Sequence, residues 1–525
     1  MKINYSRVFR RLAEQHGSAP ALINCERNRQ FSFSDLHQLS NRIANFINGE
    51  LGLVKDERYL LILENDNLSL MHLWTILKCA ASAVFTNVRD PVEEHLRIAR
   101  FVNAKAVFIE GSMVELYAPA YQALGIPIVV VDPPSATIPG LIDFWERVNA
   151  SSDADPDLEI EFRTHYPLLR FTGGTTGIPK CAAYSAENLS YMAESFNAIE
   201  DKLFHRDTRV LHFAPLSHGT NMLLMPTFLA GGCNLTQNQP DIELWRTMVE
   251  RHRVTTSFLV PTLLYRLATL QLQQPRNLAS LQTLVYGAAP MSPDKLIELQ
   301  QAFGNIFVQA YASTESPCVV AALPRRLHRG DSESDRKRLG AAGLPTPGVE
   351  IRIVDGEGRD VTCGEAGELW IRHRGIISGY HNNPQQTVEE FTDGWWKSGD
   401  IGRIDEDGLL YLVDRKKDMI ITGGFNVYAS EVETALNSHP AVMMAAVVGI
   451  PSPEWGEAVL AEVIRRPNES ISEQALIEHV KQAIGAIKTP KRIVFVDQLP
   501  LSAVGKVLRR KVHEKYWSDQ ARGIG

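Results

Sequence analysis

The sequence has few cysteines, no long apolar run and no strong excess of either charge. Its six cysteines are scattered over 525 residues, with no C-x-x-C pair and no metal-ligand spacing. This usage indicates free thiols in a reducing compartment rather than a disulfide framework or a structural zinc site. No run approaches the roughly 18 apolar residues that cross a bilayer, and residues 1–5 lead into a charged stretch without a signal-peptide core. These absences predict a cytoplasmic location without a membrane span.

The charge balance argues against nucleic acid as a partner. Lysine and arginine total 54 against 61 aspartates and glutamates, which leaves a net charge of −7. A nucleic-acid-binding protein needs a basic footprint, and this chain has no such excess. Apolar residues make up 44% and charged residues 22%, which is the composition of an ordinary globular protein with a substantial core.

Apolar runs alternate with helix-like stretches along the first part of the chain. Residues 59–63 have the pattern of a buried strand, and residues 68–81 that of a helix. The other strand-like runs are residues 106–109, 126–131, 210–213, 256–260, 281–286 and 306–309. Such alternation is typical of mostly parallel sheets covered by helices, so we predict an α/β fold.

Two changes of pattern divide the rest of the chain. From residue 349 the strands become shorter and are separated by turn signals, which predicts a small β-rich subdomain. Beyond about residue 417, strand-like runs surround a helix at 473–484, which predicts a separate α+β module. The predicted units are a large N-terminal domain over 1–416, with subdomains of about 1–154, 155–345 and 346–416, and a small C-terminal domain over 417–525.

A loop rich in glycine and threonine follows the apolar residues 168–169. Three glycines and three threonines lie within residues 172–177, and Lys180 comes shortly after them. Glycine lets the backbone approach a ligand closely, so backbone N–H groups, hydroxyls and the Lys180 ammonium can together grip a polyphosphate. The glycine spacing differs from that of the G-x-x-x-x-G-K-[ST] phosphate loop, and by itself the segment is equally compatible with a surface turn.

Seven further motifs follow this loop in a fixed order. They are residues 214–219 (APLSHG), 286–290 (YGAAP), 309–315 (QAYASTE), 394–400 (GWWKSGD), 414–418 (DRKKD), 423–427 (GGFNV) and 499–506 (LPLSAVGK). In this order they closely resemble the adenylate-forming (AMP-binding) superfamily of acyl-CoA synthetases, adenylation domains and beetle luciferases. The resemblance covers nearly the whole chain, and residues 420–424 (IITGG) are most similar to the aryl- and acyl-CoA ligase branch.

The resemblance implies an ATP-dependent carboxylic acid:CoA ligase. A carboxylate reacts with ATP to give an acyl-adenylate and pyrophosphate, and the acyl group then passes to the thiol of CoA with release of AMP. In the family pattern Lys506 bridges the carboxylate and the α-phosphate, Glu315 holds Mg²⁺, and His218 lies near the acyl carboxylate. Positive charge at this point offsets the repulsion between an anionic acid and a polyanion. The implied cofactors are therefore ATP, Mg²⁺ and coenzyme A.

The resemblance also implies a nucleotide site. Thr314 matches a residue beside the α-phosphate, and Tyr311 matches the aromatic ring that stacks on adenine. Asp400 matches the acceptor for the ribose hydroxyls, because a carboxylate only accepts hydrogen bonds, and Arg415 matches its helper. The full implied set is Thr172, Gly173, Gly174, Thr175, Thr176, Gly177, Lys180, Gly287, Ala288, Ala289, Pro290, Gln309, Ala310, Tyr311, Ala312, Ser313, Thr314, Asp400 and Arg415.

The same resemblance implies a mobile C-terminal module and an acyl pocket. Lys417 matches the hinge about which this module rotates between the two half-reactions, and Gly423 and Gly424 match the turn along which the CoA thiol enters. The implied pocket residues are His218, Asn221, Met222, Tyr286, Gly287, Ala312, Ser313 and Val319. They predict an apolar cleft with one or two polar groups, suited to an aromatic, alicyclic or medium-length carboxylic acid.

Several alternative functions stay open on the sequence. A stand-alone adenylating enzyme would load the phosphopantetheine arm of an acyl carrier protein, which offers the same thiol as CoA. An amino-acid substrate is disfavoured, because residues 213–218 lack the aspartate that holds the substrate ammonium in such relatives. The ligase-like turn at 423–424 disfavours a luciferase-like monooxygenase. A non-catalytic nucleotide-binding protein is disfavoured because the chain retains Lys506, Glu315, Asp400 and Lys180.

Four positions depart from the family pattern. They are Gly173 in place of serine, Cys181 in place of glycine, Ala312 in place of glycine and Ala429 in place of proline. None of these changes removes a charge, so we expect an altered substrate fit rather than a loss of activity.

Overall fold

The computed structural model describes residues 1–133, 138–172, 180–200, 203–330, 332–502 and 505–517. The strands are β1 (Lys2–Ile3), β2 (Pro20–Asn24), β3 (Arg29–Ser32), β4 (Arg58–Ile62), β5 (Ser82–Phe85), β6 (Ala106–Glu110), β7 (Ile128–Val131), β8 (Ile142–Asp143), β9 (Ile160–Glu161), β10 (Leu168–Phe171), β11 (Cys181–Tyr184), β12 (Arg209–His212), β13 (Cys233–Thr236), β14 (Thr256–Leu259), β15 (Thr283–Gly287), β16 (Phe307–Tyr311), β17 (Ala321–Leu323), β18 (Leu344–Pro345), β19 (Glu350–Val354), β20 (Gly367–Arg372), β21 (Phe391–Thr392), β22 (Trp395–Ile404), β23 (Leu410–Arg415), β24 (Ile420–Thr422), β25 (Phe425–Val427), β26 (Val442–Ser452), β27 (Gly456–Arg465) and β28 (Arg492–Phe495). The α-helices are α1 (Tyr5–His16), α2 (Phe33–Asn45), α3 (Asn65–Leu70), α4 (Leu73–Ile76), α5 (Val92–Phe101), α6 (Val114–Ala123), α7 (Phe144–Ala150), α8 (Ala186–Asn197), α9 (Leu224–Leu229), α10 (Ile242–His252), α11 (Pro261–Gln273), α12 (Pro293–Phe303), α13 (Glu333–Arg338), α14 (Pro384–Glu390), α15 (Ala429–Asn437), α16 (Glu473–Ile484) and α17 (Arg509–Trp517).

Two large sheets carry most of the chain up to β18. The first has the strand order β11-β10-β5-β4-β6-β7-β8, and the second has the order β18-β17-β16-β15-β14-β12-β13-β2-β3. Neighbouring strands from β10 to β8 in the first sheet, and from β16 to β2 in the second, run parallel. Antiparallel strands lie only at the edges of both sheets. The predicted class of α/β fold with mostly parallel sheets is confirmed.

The two sheets share a central hydrophobic core. Strand β4 shows the alternation that makes this possible, because Tyr59 and Leu61 face the shared core while Leu60 and Ile62 face the opposite side. Helices α2, α4, α8 and α9 contribute to the shared core. Helices α5 and α6 cover the outer face of the first sheet, and α10, α11 and α12 cover the outer face of the second. Both sheets are therefore buried on both faces, as parallel sheets usually are.

Two smaller sheets follow. Strands β19–β23 form an antiparallel sheet, in agreement with the β-rich segment predicted from residue 349. Strands β24–β28 form a second small sheet, on which α15 and α16 pack through Val432, Leu436, Leu476 and Val480. The predicted helix at 473–484 coincides with α16. The division of the chain into domains stays a prediction.

The prediction of one continuous helix over residues 68–81 is wrong. The segment contains two short helices, α3 and α4, with a break at His72. His72 has an extended backbone, and its Nδ1 accepts a hydrogen bond from the N–H of Leu73 at 2.8 Å, so it caps α4 instead of continuing α3. Among the helices in the described ranges, none combines the length and the apolar character needed to cross a bilayer.

Candidate active site

The predicted adenine-binding residues lie at the carboxyl ends of β15 and β16, where open α/β sheets usually bind ligands. A Cβ on Gly287 would lie 2.2 Å from the carbonyl oxygen of Ala310, so only glycine allows the two strands to approach this closely. Ala288 follows with φ of +67°, a left-handed conformation that is uncommon for a residue with a side chain. Ala288 and Pro290 are exposed and Ala289 is half-buried, so this segment forms an accessible edge.

Asp400 is a buried carboxylate that contacts two polar side chains. It lies opposite Arg415 in the pairing of β22 with β23, and Arg415 Nε lies 2.5 Å from Asp400 Oδ1. The hydroxyl of Tyr311, at the end of β16, donates to Asp400 Oδ2 at 2.5 Å. Burial raises the pKa of Asp400, while Arg415 and Tyr311 oppose this shift. The charge of Asp400 in turn raises the pKa of Arg415.

Lys506 reaches this cluster from the C-terminal segment. The Gly505 carbonyl accepts a hydrogen bond of 2.7 Å from Thr262 Oγ1 at the start of α11, which fixes the segment beside the second large sheet. Ser502 Oγ accepts from the N–H of Lys506 at 3.1 Å. Burial lowers the pKa of Lys506 to about 8, with Arg415 adding to the shift and Asp400 opposing it. The Lys506 ammonium therefore lies within electrostatic range of the predicted ribose-binding pair.

His218 lies between β12 and a short 3₁₀ turn at Gly219–Leu223. Its Nδ1 is 3.0 Å from Ser217 Oγ. Burial, together with the charges of Arg170 and Lys506, lowers the pKa of His218 to about 3. The imidazole is thus neutral at pH 7, and the structure brings Lys506, His218 and Asp400 into one electrostatic neighbourhood.

Glu315 belongs to a chain of contacts that the sequence does not indicate. Tyr380 Oη lies 2.8 Å from Glu315 Oε1 and also forms a hydrogen bond with Glu390. Glu390 is ion-paired with Lys180. Burial raises the pKa of Glu315, and the hydrogen bond from Tyr380 opposes the shift. No motif contains Tyr380 or Glu390, and only a contact across 210 positions identifies the Lys180–Glu390 pair.

The glycine–threonine loop is described only at its two ends. The N–H of Thr172 donates to the carbonyl of Lys180 at 3.0 Å, which closes the base of the loop. Five of the predicted nucleotide-binding residues lie outside the described residues. They are Gly173, Gly174, Thr175, Thr176 and Gly177.

The structure separates the predicted acyl-pocket residues into two groups. Met222 and Val319 belong to the core shared by the two large sheets, and Ala312 packs against it. Tyr286 instead lies in the core on the outer face of the second sheet, where its hydroxyl donates to Gln309 Oε1 at 3.1 Å and lies 3.0 Å from His328 Nε2. The reason is strand alternation, because Tyr286 follows Val285, which faces the shared core.

Asn221 is the polar member of the first group. Its side chain is only 1% exposed, and neither Nδ2 nor Oδ1 has a hydrogen-bond partner among the described residues. Leaving a buried amide group unpaired costs about 1–3 kcal/mol. Ser313 Oγ accepts from the N–H of Ser316 at 3.0 Å, so Ser313 is partly engaged within its own turn, whereas both polar atoms of Asn221 are unpaired among the described residues.

The predicted hinge and thiol-entry residues lie in exposed turns. Lys417 is exposed in the 3₁₀ turn Lys416–Asp418 between β23 and β24. Gly423 and Gly424 form the exposed turn of the β24–β25 hairpin, with φ values of +56° and +81°. The N–H of Gly423 donates to the carbonyl of Trp455 at 2.9 Å. In this arrangement Lys506 lies within electrostatic range of Asp400.

A cavity of about 270 Å³ was not indicated by the sequence. Ser217, Arg89, Asn238 and Glu64 are among the residues that line it. Ser217 contacts His218, so the cavity reaches the neighbourhood of the predicted acyl carboxylate. Among the described residues, no group of three or more His, Cys, Asp or Glu side chains has the geometry of a metal site.

Comparison with known families now identifies the chain at family level. A model of the AMP-binding enzymes matches residues 9–381, and a model of the C-terminal domain of AMP-binding enzymes matches residues 431–506. The chain belongs to the AMP-binding enzymes. The predicted family is thus confirmed.

Two relatives show how this AMP-binding enzyme compares with proteins of known activity. The medium/long-chain-fatty-acid–CoA ligase FadD8 of Mycobacterium tuberculosis is 38% identical over 364 residues, which is 68% of this chain and 62% of FadD8. The match therefore spans less than two thirds of FadD8. The fatty acid–[acyl-carrier-protein] ligase ScoC of Streptomyces coeruleorubidus is 30% identical over 98% of this chain and 96% of ScoC.

A solved structure supports the same assignment. The ATP-bound crystal structure of MatB from Rhodopseudomonas palustris superposes on this AMP-binding enzyme with a TM-score of 0.86 at 25% identity, over 98% of this chain and 99% of MatB. The fold is therefore that of an adenylate-forming enzyme along nearly the whole chain. With the family and its relatives, the predicted reaction class of an AMP-forming acid–thiol ligase is confirmed.

Proposed function

We propose that this AMP-binding enzyme activates a mainly apolar carboxylic acid with ATP and transfers the acyl group to the thiol of CoA. The observation that carries the proposal is that Lys506 lies within electrostatic range of Asp400, Arg415 and His218. Lys506 is the cation and Asp400 the ribose acceptor that the first half-reaction requires. The relation to FadD8, which is named as a CoA ligase, supports CoA as the acceptor.

In the first half-reaction a carboxylate oxygen of the acid attacks the α-phosphorus of ATP. The bond from that phosphorus to the bridging oxygen of pyrophosphate breaks, and the products are acyl-adenylate and pyrophosphate. Lys506 neutralises the negative charge between the two anions, and it is mostly protonated at pH 7 because its pKa is about 8. Removing one such preorganised donor costs about 2.7–4 kcal/mol of transition-state stabilisation.

The nucleotide is held by two sets of residues. Asp400 accepts the ribose hydroxyls and is kept in place by Arg415 and by the hydroxyl of Tyr311. The accessible edge formed by residues 288–290 leaves room for the adenine ring. Lys180 and the loop that precedes it bind the β- and γ-phosphates.

Glu315 fits Mg²⁺. Mg²⁺ prefers oxygen ligands and usually takes only one or two protein carboxylates, with the remaining positions filled by phosphate and water. Glu315 offers one buried carboxylate, and one of its oxygens is oriented by Tyr380. When bound, the ion would neutralise phosphate charge. The protein's own contribution is to hold that carboxylate in place.

In the second half-reaction the thiol sulfur of CoA attacks the acyl carbonyl carbon. A thioester bond forms as the thiol loses its proton to solvent, the bond between the acyl carbon and the phosphate oxygen breaks, and AMP leaves with that oxygen and its electron pair. His218 is expected beside the acyl carbonyl carbon. Because its imidazole is neutral, it adds no positive charge there. The cavity beside Ser217, with Arg89 in its wall, suits a phosphorylated thiol substrate. Rotation of the C-terminal module about Lys417 would move Lys506 out of the site and bring the Gly423–Gly424 turn into its place.

The acyl pocket sets the substrate class. Met222, Val319 and Ala312 offer apolar surface, which favours an aromatic, alicyclic or medium-length chain. Asn221 offers one donor and one acceptor that lack protein partners. An acid with a single hydrogen-bonding group on an otherwise apolar body would satisfy Asn221 and recover the cost of its burial.

A panel of carboxylic acids tests the proposal. Enzyme, ATP, Mg²⁺ and CoA are mixed with each acid, and AMP and thioester are measured; we expect both, in equal amounts, for the preferred acid. The relation to ScoC supports a second candidate function, which is loading of an acyl carrier protein. Pyrophosphate release without acyl-CoA, together with acylation of a holo-carrier protein, would favour this second function. Absence of any acid-dependent pyrophosphate release would contradict both.

A further inference from the structure

Lys180, which is expected to bind the polyphosphate, is already paired with a carboxylate. Its ammonium forms an ion pair with Glu390 and lies 5.6 Å from the ring centroid of Tyr380. The side chains of Lys180 and Glu390 are only 31% and 20% exposed, so water screens the pair weakly. A carboxylate and a phosphate both form charge-assisted hydrogen bonds with an ammonium group. Glu390 and ATP therefore compete for the same cation.

Glu390 has partners of its own that do not depend on Lys180. It is the last residue of α14, and Gln386, one turn earlier in that helix, donates from Nε2 to Glu390 Oε1 at 3.0 Å. The hydroxyl of Tyr380 lies within hydrogen-bond distance of its other oxygen. Glu390 can thus release Lys180 and still keep the hydrogen bond from Gln386, with the Tyr380 hydroxyl beside its other oxygen. A partly buried carboxylate with such support is suited to a reversible exchange.

Tyr380 connects this pair to Glu315. The phenol oxygen is within hydrogen-bond distance of carboxylate oxygens from both Glu315 and Glu390. A phenol carries one hydrogen and can donate it to only one of them at a time. A change at Glu390 is therefore transmitted to Glu315, the carboxylate expected to bind Mg²⁺.

We propose that Glu390 is a positioning residue that occupies Lys180 in the nucleotide-free enzyme and yields it to the β- and γ-phosphates when ATP binds. The proposal rests on the proposed ATP-dependent function and concerns the same site. Glu390 lowers the affinity for ATP, because each binding event must first break the Lys180–Glu390 pair. It also recovers Lys180 when pyrophosphate leaves, which favours product release. The effect is confined to ligands that carry β- and γ-phosphates.

The substitution Glu390→Gln tests this competition. It keeps the shape of the side chain, removes its charge and frees Lys180, so the Kd for MgATP measured by calorimetry without acid should fall about three- to tenfold. AMP lacks the phosphates that Lys180 binds, and its Kd should not change. The matched control is Glu389→Gln, which removes the same charge from an exposed neighbour in α14 that accepts a hydrogen bond from Gln385. This control should leave both affinities unchanged.

A double-mutant cycle separates competition from a purely structural role. Lys180→Met should weaken MgATP binding, and Glu390→Gln added to it should give no gain, because no ammonium is left to release. An unchanged or weaker MgATP affinity in Glu390→Gln would overturn the proposal, as would an equal gain for AMP or a gain that persists without Lys180. If the wild-type enzyme bound AMP but not MgATP, the proposed function itself would fail, which is a different result from any of these.

Discussion

The two basic side chains expected beside the acyl carboxylate are in different charge states. Burial lowers the pKa of His218 to about 3 and that of Lys506 to about 8. At pH 7 the imidazole is neutral and the ammonium is mostly protonated. Of these two side chains, only Lys506 therefore brings positive charge to the meeting point of the acid and ATP, because a neutral His218 does not repel it.

The lowered pKa of Lys506 predicts how adenylation depends on pH. Because the protonated form is needed, kcat/KM for ATP in acid-dependent pyrophosphate exchange should fall as the pH rises through about 8, since this parameter reports the free enzyme. Lys506→Arg should move this fall to higher pH. Lys506→Ala should reduce exchange by about a hundred- to thousandfold while ATP binding is retained. A wild-type profile that is flat up to pH 10, or full exchange in Lys506→Ala, would contradict this role.

Asn221 predicts a change of acid preference. Asn221→Leu removes the unpaired amide and adds apolar surface, so kcat/KM should rise for purely apolar acids and fall for acids with a hydrogen-bonding group. The ratio of the two values should change by about tenfold or more, because a lost polar contact leaves the substrate group unpaired. The panel of acids described above measures it. An unchanged ratio would exclude Asn221 from the pocket.

At the scale of elements, the β24–β25 hairpin presents two glycines that differ in their surroundings. A Cβ on Gly423 would lie 2.6 Å from the ring of Trp455, whereas a Cβ on Gly424 would meet nothing within 4 Å. Both have positive φ, so any side chain at either position is strained. A substitution at Gly424 therefore tests the passage of the thiol without a clash inside the hairpin.

Gly424→Leu should impair thioester formation from a supplied acyl-adenylate by at least about tenfold, and impair pyrophosphate exchange much less. The reason is that the side chain would enter the path of the thiol only when the hairpin faces the cleft. Gly304→Leu is the matched control, because Gly304 also has positive φ and open space around its Cβ but lies at the end of α12. Equal losses in both half-reactions of Gly424→Leu would speak against the proposed thiol path.

At the scale of the whole molecule, polar contacts also join the small sheet β24–β28 to helix α12, which covers the second large sheet. Arg466 Nη2 lies 2.6 Å and 2.9 Å from the two carboxylate oxygens of Glu298 on α12. Lys295 Nζ donates to the carbonyl of Val442 at 3.2 Å. These contacts occur in the same arrangement that brings Lys506 within electrostatic range of Asp400, and we expect them to stabilise it.

Charge reversal of this pair should shift the balance between the half-reactions. Glu298→Arg or Arg466→Glu should slow pyrophosphate exchange about three- to tenfold, because the arrangement with Lys506 in the cleft loses an ion pair and gains a repulsion. Thioester formation from supplied acyl-adenylate should be unchanged or faster. The double reversal, which restores opposite charges, should recover exchange. If the double variant is no better than either single one, the pair does not control the arrangement.

Local sequence patterns gave most strands within two residues of their observed ends. The predicted run at 59–63 corresponds to β4, and the run at 256–260 to β14. The helix predicted at 68–81 was wrong because a histidine side chain caps a new helix within it. The positions of strands follow from the spacing of apolar residues, which is a local property of the sequence. The break in the helix instead depends on the side chain of His72, which accepts a hydrogen bond from the backbone N–H of Leu73.

The sequence by itself determined the α/β class, the family and the order of motifs that carry the expected chemistry, because these depend on periodicity and on residues close together in the chain. It also paired Asp400 with Arg415. Tertiary structure alone decided that Tyr286 lies on the opposite face of the sheet from Met222, and that Lys180 meets Glu390 across 210 positions. Such contacts arise from the packing of separate layers, and no local pattern encodes which distant side chains that packing brings together.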